Sequence, residues 1–140
     1  MYSHKLLSRR LVLGSSLIAI LGGCGGPPEM KPIDSDERGL RELAEIYRAF
    51  ASKSKRAPKS LKELNVKGQQ NPIAVSMIKS GDLIVEWGAS LSPEGDTANA
   101  ILAYVKTVPE QGGYVLMQDG RTIKKMAADE FRSAPKASPR

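Results

Sequence analysis

Cys24 is the only cysteine of this 140-residue chain, and its position is the first clue to the chain's chemistry. A buried thiol normally lies within an apolar pattern, and a metal-ligating thiol has cysteine or histidine companions at ligand spacing. Cys24 instead stands between two glycine pairs, directly ahead of Pro27 and Pro28. The sequence therefore disfavours both a core role and a metal-binding role for this thiol.

The residues that precede Cys24 have the layout of a secretory signal. Lys5, Arg9 and Arg10 form a basic start without an acid, and residues 11–21 form an apolar middle that ends in small residues. This middle is shorter than the roughly 20 residues that span a bilayer as a helix. We therefore expect the segment to be removed during export.

The exit of this signal, Leu21-Gly22-Gly23-Cys24, resembles the lipobox of bacterial lipoproteins. The resemblance implies cleavage after Gly23, attachment of a diacylglycerol to the Cys24 thiol, and fatty acylation such as palmitate on the new amino terminus. Several acyl chains give stable anchoring, since each buried methylene contributes about 0.8 kcal/mol. An ordinary signal peptide that leaves a free cysteine, or a retained anchor, is the alternative.

The export route and the final membrane are also open to prediction. Ser8-Arg9-Arg10 followed by "LVLG" resembles a twin-arginine export signal, and the general secretory route is the alternative. The lipobox implies an extracytoplasmic, lipid-anchored protein. Gly25 follows the cysteine where many inner-membrane lipoproteins carry aspartate, so the outer membrane is favoured in a bacterium with two membranes.

Processing would leave little catalytic chemistry in the mature chain. It removes His4, the only histidine, and lipidation consumes the only thiol, which excludes a Ser-His-Asp triad, a Cys-His pair and a histidine-ligated zinc site. No phosphate-binding glycine loop is present. We predict a protein that is not an enzyme and uses no cofactor or metal. A hydrolase that pairs Glu86 with a second buried acid is the alternative.

The charge of the chain is not that of a nucleic-acid-binding protein. The formal net charge is +6, from 21 basic and 15 acidic residues, and removal of residues 1–23 leaves 18 basic residues and +3. Three of the remaining bases, Arg132, Lys136 and Arg140, lie in residues 132–140, which we expect to be a disordered basic tail. The rest of the chain is balanced, which predicts no nucleic-acid partner.

The elements that position any site begin after a Gly/Pro-rich tether at residues 24–33. Asp34, with Glu37 three residues later, predicts a helix N-terminus, and apolar residues at helical spacing extend the helix to about Ser54. "LKEL", preceded by Ser60, predicts a one-turn helix. Alternation in "AVSMI" and "DLIVEWG" predicts two strands joined by a hairpin at residues 79–82. "AILAYVKT" predicts a third strand, and "GYVLMQ" and "RTIKKM" predict a hairpin around Asp119-Gly120.

This order predicts an α+β domain over residues 34–131, in which a long N-terminal amphipathic helix packs on a four- to five-stranded antiparallel sheet and "AADEF" forms a short C-terminal helix. The domain resembles the globular part of type IV pilins and type II secretion pseudopilins, on the loop "RAPKSLKEL" and the closing "ILAYVKTVPEQGGYVLMQDGRTIKKMAADEF". The resemblance implies a binding or scaffolding role in the cell envelope, with secretion-system proteins among the candidate partners.

Three further sites are candidates. The loop "SPEGDTANA" offers Glu94 and Asp96, with Ser92 and Thr97, as oxygen ligands for calcium, although two carboxylates are few and a surface loop is favoured. Trp87 either anchors a partner or, as its alternation with Leu83 and Val85 favours, packs in the core. Tyr104 and Tyr114 form either a ligand platform or a cross-strand aromatic pair.

Overall fold

The computed structural model describes residues 34–64, 71–92 and 96–139, all within one compact unit. The predicted signal segment (1–23) and tether (24–33) lie outside the described residues, and so do Arg9, Arg10, Gly23 and Cys24. The described elements are, in chain order, helix α1 (Ser35–Ser54), a 3-10 turn (Leu61–Leu64), helix α2 (Pro72–Ser80), strand β1 (Leu83–Val85), a 3-10 turn (Asp96–Asn99), strand β2 (Ile101–Val105), helix α3 (Val108–Gln111), strand β3 (Gly113–Met117), strand β4 (Ile123–Met126) and helix α4 (Ala128–Ser133).

Helix α1 begins where a side chain replaces a missing backbone partner. Asp34 is its N-cap, and Asp34 Oδ1 accepts a hydrogen bond from the Asp36 N–H at 3.1 Å. The helix ends at Lys55, whose left-handed φ of 56° lets its N–H donate to the Ala51 carbonyl. Apolar residues at helical spacing turn one face of α1 toward the sheet and α2. The buried residues of α1 are Gly39, Leu40, Leu43, Ala44, Ile46 and Tyr47.

The segment "AVSMI" is helical, so the predicted strand and the hairpin at residues 79–82 are wrong. Pro72 occupies the first turn of α2, where its missing N–H costs nothing. Gly81, with a φ of 81°, ends the helix by donating its N–H to the carbonyls of Ile78 and Met77. A five-residue apolar alternation fits one helical turn as well as a strand, which is why the pattern alone misled.

The four strands form one antiparallel sheet in the order β1-β2-β3-β4. With α4 after the last strand, the predicted α+β class, antiparallel sheet and short C-terminal helix are confirmed. The predicted hairpin at Asp119-Gly120 is confirmed too, although its connection covers residues 118–122. The Asp119 carboxylate accepts hydrogen bonds from the Arg121 N–H, the Thr122 N–H and the Thr122 hydroxyl. Gly120 adopts a φ of 67°.

The C-terminal segment differs from the predicted disordered tail as far as residue 139. Arg132 and Ser133 belong to α4, and Lys136 forms an isolated parallel bridge with Ile101. The Ile101 N–H donates to the Pro135 carbonyl and the Ala137 N–H donates to the Ile101 carbonyl, both at 2.9 Å. Because β1 has only three residues, β2 has a free edge at Ile101, and the C-terminal segment supplies the missing partner.

Candidate functional site

A groove of about 520 Å³ lies where the start of α1, helix α2 and the ends of β1 and β2 meet. Its polar lining residues are Ser35, Asp36, Ser76, Asp82, Lys106 and Thr107. Its apolar lining residues are Pro72, Ile73, Met77 and Val105. The groove therefore combines an apolar surface with two carboxylates, one ammonium group and three hydroxyls, which is the mixture expected of a small-molecule site.

Helix α2 is held in place by a carboxylate from α1. Glu42 Oε2 accepts hydrogen bonds from the backbone N–H groups of Ile73 at 2.9 Å and Ala74 at 3.0 Å. Asn71, the N-cap residue by position, makes no side-chain capping bond. Glu42 thus supplies the cap for a helix that begins thirty residues later, and this contact sets one wall of the groove against the other.

A glycine allows the two helices to approach closely. A Cβ atom added to Gly39 would lie 2.4 Å from Met77 Sδ, which is closer than real Cβ contacts allow. Gly39 is buried in α1, and Met77 lines the groove from α2. A side chain at residue 39 would therefore displace Met77, which lines the groove.

Asp82 is positioned by hydrogen bonds of its backbone N–H, its backbone carbonyl and its carboxylate. Its N–H donates to the Met77 carbonyl at 2.9 Å, and its carbonyl accepts from the Lys106 N–H at 2.8 Å. Its Oδ2 accepts the Ser80 hydroxyl at 2.6 Å. These bonds join the end of α2 to the ends of β1 and β2, so the Asp82 carboxylate stays at the groove.

The electrostatics of the groove favour a cationic ligand. Burial raises the pKa of Asp36, and the carboxylates of Asp34 and Asp82 raise it further because they repel a third negative charge. Lys106 is exposed and is the one basic side chain among the lining residues described. An ammonium group between Asp36 and Asp82 would relieve the repulsion, and an attached aliphatic stem would contact the apolar wall.

Glu86 is the acid that the hydrolase alternative would use. In the described residues, its charge acts on a phenol and an ammonium group. After burial, Glu86 is the second cause of the raised pKa of Tyr104. Burial lowers the pKa of Lys136, and Glu86 opposes that change. The two acids that share the groove are Asp36, which lies in the first turn of α1, and Asp82, which lies in the segment predicted as a hairpin turn.

The two tyrosines neither form a platform nor pair with each other. Tyr104 lies opposite Val115 in the β2–β3 register, and Tyr114 is the residue next to Val115. Because neighbouring residues of a strand point to opposite faces, the two rings lie on opposite faces of the sheet. Tyr104 packs against Phe131 with ring centroids 4.7 Å apart, and Tyr114 lies under Lys125 Nζ at 5.6 Å.

Trp87 and the predicted calcium loop are the remaining candidates from the sequence. Trp87 lies in a turn after β1 and packs half-buried against the core, which agrees with the favoured core role. Glu94, and the side chains of Asp96 and Thr97, lie outside the described residues. Within the ranges described, no three histidine, cysteine, aspartate or glutamate side chains come together as metal ligands.

Comparison with known proteins identifies no relative. No protein-family model matches the chain, and no curated protein or solved structure matches it. Among the described residues, no helix is both long enough and apolar enough to cross a bilayer.

Proposed function

We propose that this chain is an extracytoplasmic bacterial lipoprotein, anchored through acylated Cys24, whose domain is a non-enzymatic binding module in the cell envelope. The observation that carries the anchor is the series of basic start, short apolar segment and Leu21-Gly22-Gly23-Cys24. The observation that carries the binding role is the groove at α1 and α2. The membrane is its first partner, reached through the lipid.

The anchor is tested by intact mass and fractionation of the membrane-extracted protein, beside a Cys24→Ser variant. Gly26→Ser, which changes the tether and leaves the four lipobox residues intact, is the matched control. We expect wild type and control to begin at Cys24 with acyl mass and to sediment with membranes. An unacylated wild-type chain in the soluble fraction would refute the anchor and leave Cys24 as a free thiol.

The ligand class that the groove fits is a small aliphatic amine, because Asp36 and Asp82 flank an apolar wall. A suitable probe is cadaverine, which has two ammonium groups on a five-carbon stem, with binding followed by backbone amide shifts. Asp36→Asn combined with Asp82→Asn should weaken binding about tenfold or more, since a hydrogen bond to a charged group contributes about 1.5–3 kcal/mol. Glu45→Gln with Glu110→Gln, which removes two exposed charges elsewhere, should leave it unchanged.

Binding fits the groove better than catalysis. The Asp82 side chain is exposed, and its Oδ2 already accepts the Ser80 hydroxyl. General acid–base chemistry works best where water is excluded and a proton is passed between groups with separated pKa values. A groove that is open to solvent and offers carboxylates without histidine or thiol suits ionic recognition of an amine.

A secretion-apparatus component of pseudopilin type is the second candidate. The order of a 20-residue helix, a loop with a helical turn and an antiparallel sheet supports it. Pilins polymerise through an apolar helix that follows a processing glycine and phenylalanine, and this chain has a lipobox in that place. Co-purification of a secretion-system protein with wild type and not with Cys24→Ser would favour this role.

A further inference from the structure

The end of the domain that contains the C-terminus of α1 carries a concentration of positive charge. Between residues 48 and 64 there are six basic residues and one acid, Glu63. Arg56 neutralises that acid at 2.8 Å. Of the other five bases, Arg48 donates to the Ala44 carbonyl. The other four are lysines, and we call them the basic end: Lys53, Lys55, Lys59 and Lys62.

The four lysines are displayed on one ordered part of the fold. Lys53 lies in the last turn of α1 and Lys55 is its C-cap, while Lys62 lies in the 3-10 turn that contacts α1. Glu63 Oε2 accepts from the Lys59 N–H at 2.9 Å and binds Arg56, which closes the loop on itself. The buried Pro58 accepts the Gly88 N–H at 2.8 Å, which fixes the loop to the domain.

The side chains of the basic end are exposed, and in the described residues only Lys59 acts on an acid, Glu63, which Arg56 already pairs. In the described part of the chain, none of the four ammonium groups lies in an ion pair. Lys53 and Lys55 complement the negative end of the α1 dipole, but Lys59 and Lys62 lie beyond that helix. Lys136, by contrast, has a structural role, since its Nζ donates to the Phe131 and Ala134 carbonyls.

We propose that the basic end is a contact surface for anionic phospholipid headgroups of the membrane in which the chain is anchored, a proposal that rests on the lipid anchor proposed above. A polybasic surface beside a lipid anchor is a standard second signal for membrane association. The 20-residue α1 rises about 1.5 Å per residue, so its start lies about 30 Å from the basic end. The ten residues 24–33 reach at most about 35 Å, so the anchor permits this contact.

The contact would leave the groove open to solution. The groove lies at the start of α1 and the basic end lies at its other terminus, so a domain seated on its lysines turns Asp36 and Asp82 away from the bilayer. Each lysine near an anionic surface multiplies partition about fivefold. Loss of all four should therefore reduce headgroup contact by a factor on the order of several hundred.

The test uses the full chain with its own lipid, reconstituted in phosphatidylcholine vesicles with or without phosphatidylglycerol. Trp87, the only tryptophan, is the donor for energy transfer to dansyl-labelled headgroups. It lies next to Gly88, whose N–H donates to the Pro58 carbonyl beside Lys59 of the basic end. We expect transfer only with phosphatidylglycerol, and its loss near 1 M salt, where the Debye length is about 3 Å.

Two matched variants decide the source of the contact. Replacing the four lysines of the basic end by glutamine should abolish transfer. Replacing four exposed basic residues elsewhere by glutamine, which removes the same charge, should preserve it. Those four are Lys79, Arg121, Lys124 and Lys125. The proposal is overturned if energy transfer is equal in the two variants, or if it does not depend on salt and phosphatidylglycerol.

Flotation separates this result from the fate of the anchor. If the chain fails to float with phosphatidylcholine vesicles, the anchor is wrong, and flotation of the unlipidated chain with phosphatidylglycerol vesicles still tests the basic end. In that case, the proposed headgroup contact is supported if flotation is sensitive to salt and is lost in the basic-end variant alone. Flotation that both variants retain refutes it. Circular dichroism confirms that the exposed changes to glutamine leave the fold intact.

Discussion

Glu42→Ala should uncouple α2 from α1 and destabilise the whole domain. Glu42 Oε2 caps two N–H groups of α2, at Ile73 and Ala74, and no side chain at Asn71 replaces it. The Glu42 side chain is 12% exposed, and Ala74 is fully buried. After the change, water would have poor access to the Ala74 N–H, so that donor would be left unpaired.

The expected loss follows from those two contacts. Removal of a helix cap costs about 0.5–2 kcal/mol, and a buried unpaired donor costs about 1–3 kcal/mol. The ion pair with Arg38, at 3.6 Å and with Arg38 61% exposed, adds at most about 0.5 kcal/mol. We therefore expect the free energy of unfolding to fall by about 2–3 kcal/mol, or about 10–20 °C in Tm for a domain of this size.

Urea unfolding measures this loss, with the midpoint and the slope fitted separately. Glu45→Ala is the matched control, because it makes the same change at an exposed residue of the same helix and should cost less than about 0.5 kcal/mol. Glu42→Gln retains an oxygen that can accept both bonds and should lose about half as much as Glu42→Ala. If the two alanine variants differ by less than about 0.5 kcal/mol, the cap contributes nothing and our account of α2 is wrong.

Three further predictions concern single contacts. Gly112→Ala should lower the free energy of unfolding in urea by more than Gly81→Ala does. Both glycines have positive φ, but a Cβ at Gly112 would lie 2.6 Å from a backbone oxygen, whereas a Cβ at Gly81 would meet open space. Equal losses of stability would show that φ alone matters. Burial raises the pKa of Tyr47 to about 12, so stability should be full below pH 10 and lost as pH rises toward 12. Tyr47→Phe, which removes the 2.6 Å bond to the Ala89 carbonyl, should abolish that alkaline loss in unfolding curves at pH 8 and 11; an unchanged pH profile would exclude Tyr47 as its source. Lys136→Ala should speed amide exchange at residues 136 and 137, and no change would show that backbone pairing alone holds this segment.

Local sequence predicted the features that depend on neighbouring residues. Asp119 accepts bonds from residues two and three positions away, and Asp-Gly tolerates the required backbone, so the β3–β4 hairpin could be predicted from a few letters. Strands β2 and β3 and the short helix at "AADEF" are further features that the local sequence predicted. Such features can be predicted because the chain closes them without help from distant residues.

Features that join distant residues required the tertiary structure. Helix α2 depends on a carboxylate 31 residues earlier in the chain, and its short apolar pattern fits a strand equally well. The C-terminal segment looks disordered by charge, yet Lys136 is ordered beside Ile101 because β1 is too short to cover the edge of β2. The groove likewise combines Asp36 with Asp82, two acids that the sequence assigns to separate local roles.

Local and tertiary features differ in which interactions supply their stabilising free energy. The prediction of export and lipidation depends on residues 1–24 in linear order, so the sequence alone carries that prediction. Caps and tight turns are likewise decided within a few residues. Only folding decides which helix a distant carboxylate caps, which sheet edge is left open, and which acids share a groove, because burial and long-range hydrogen bonds select among local alternatives of similar energy.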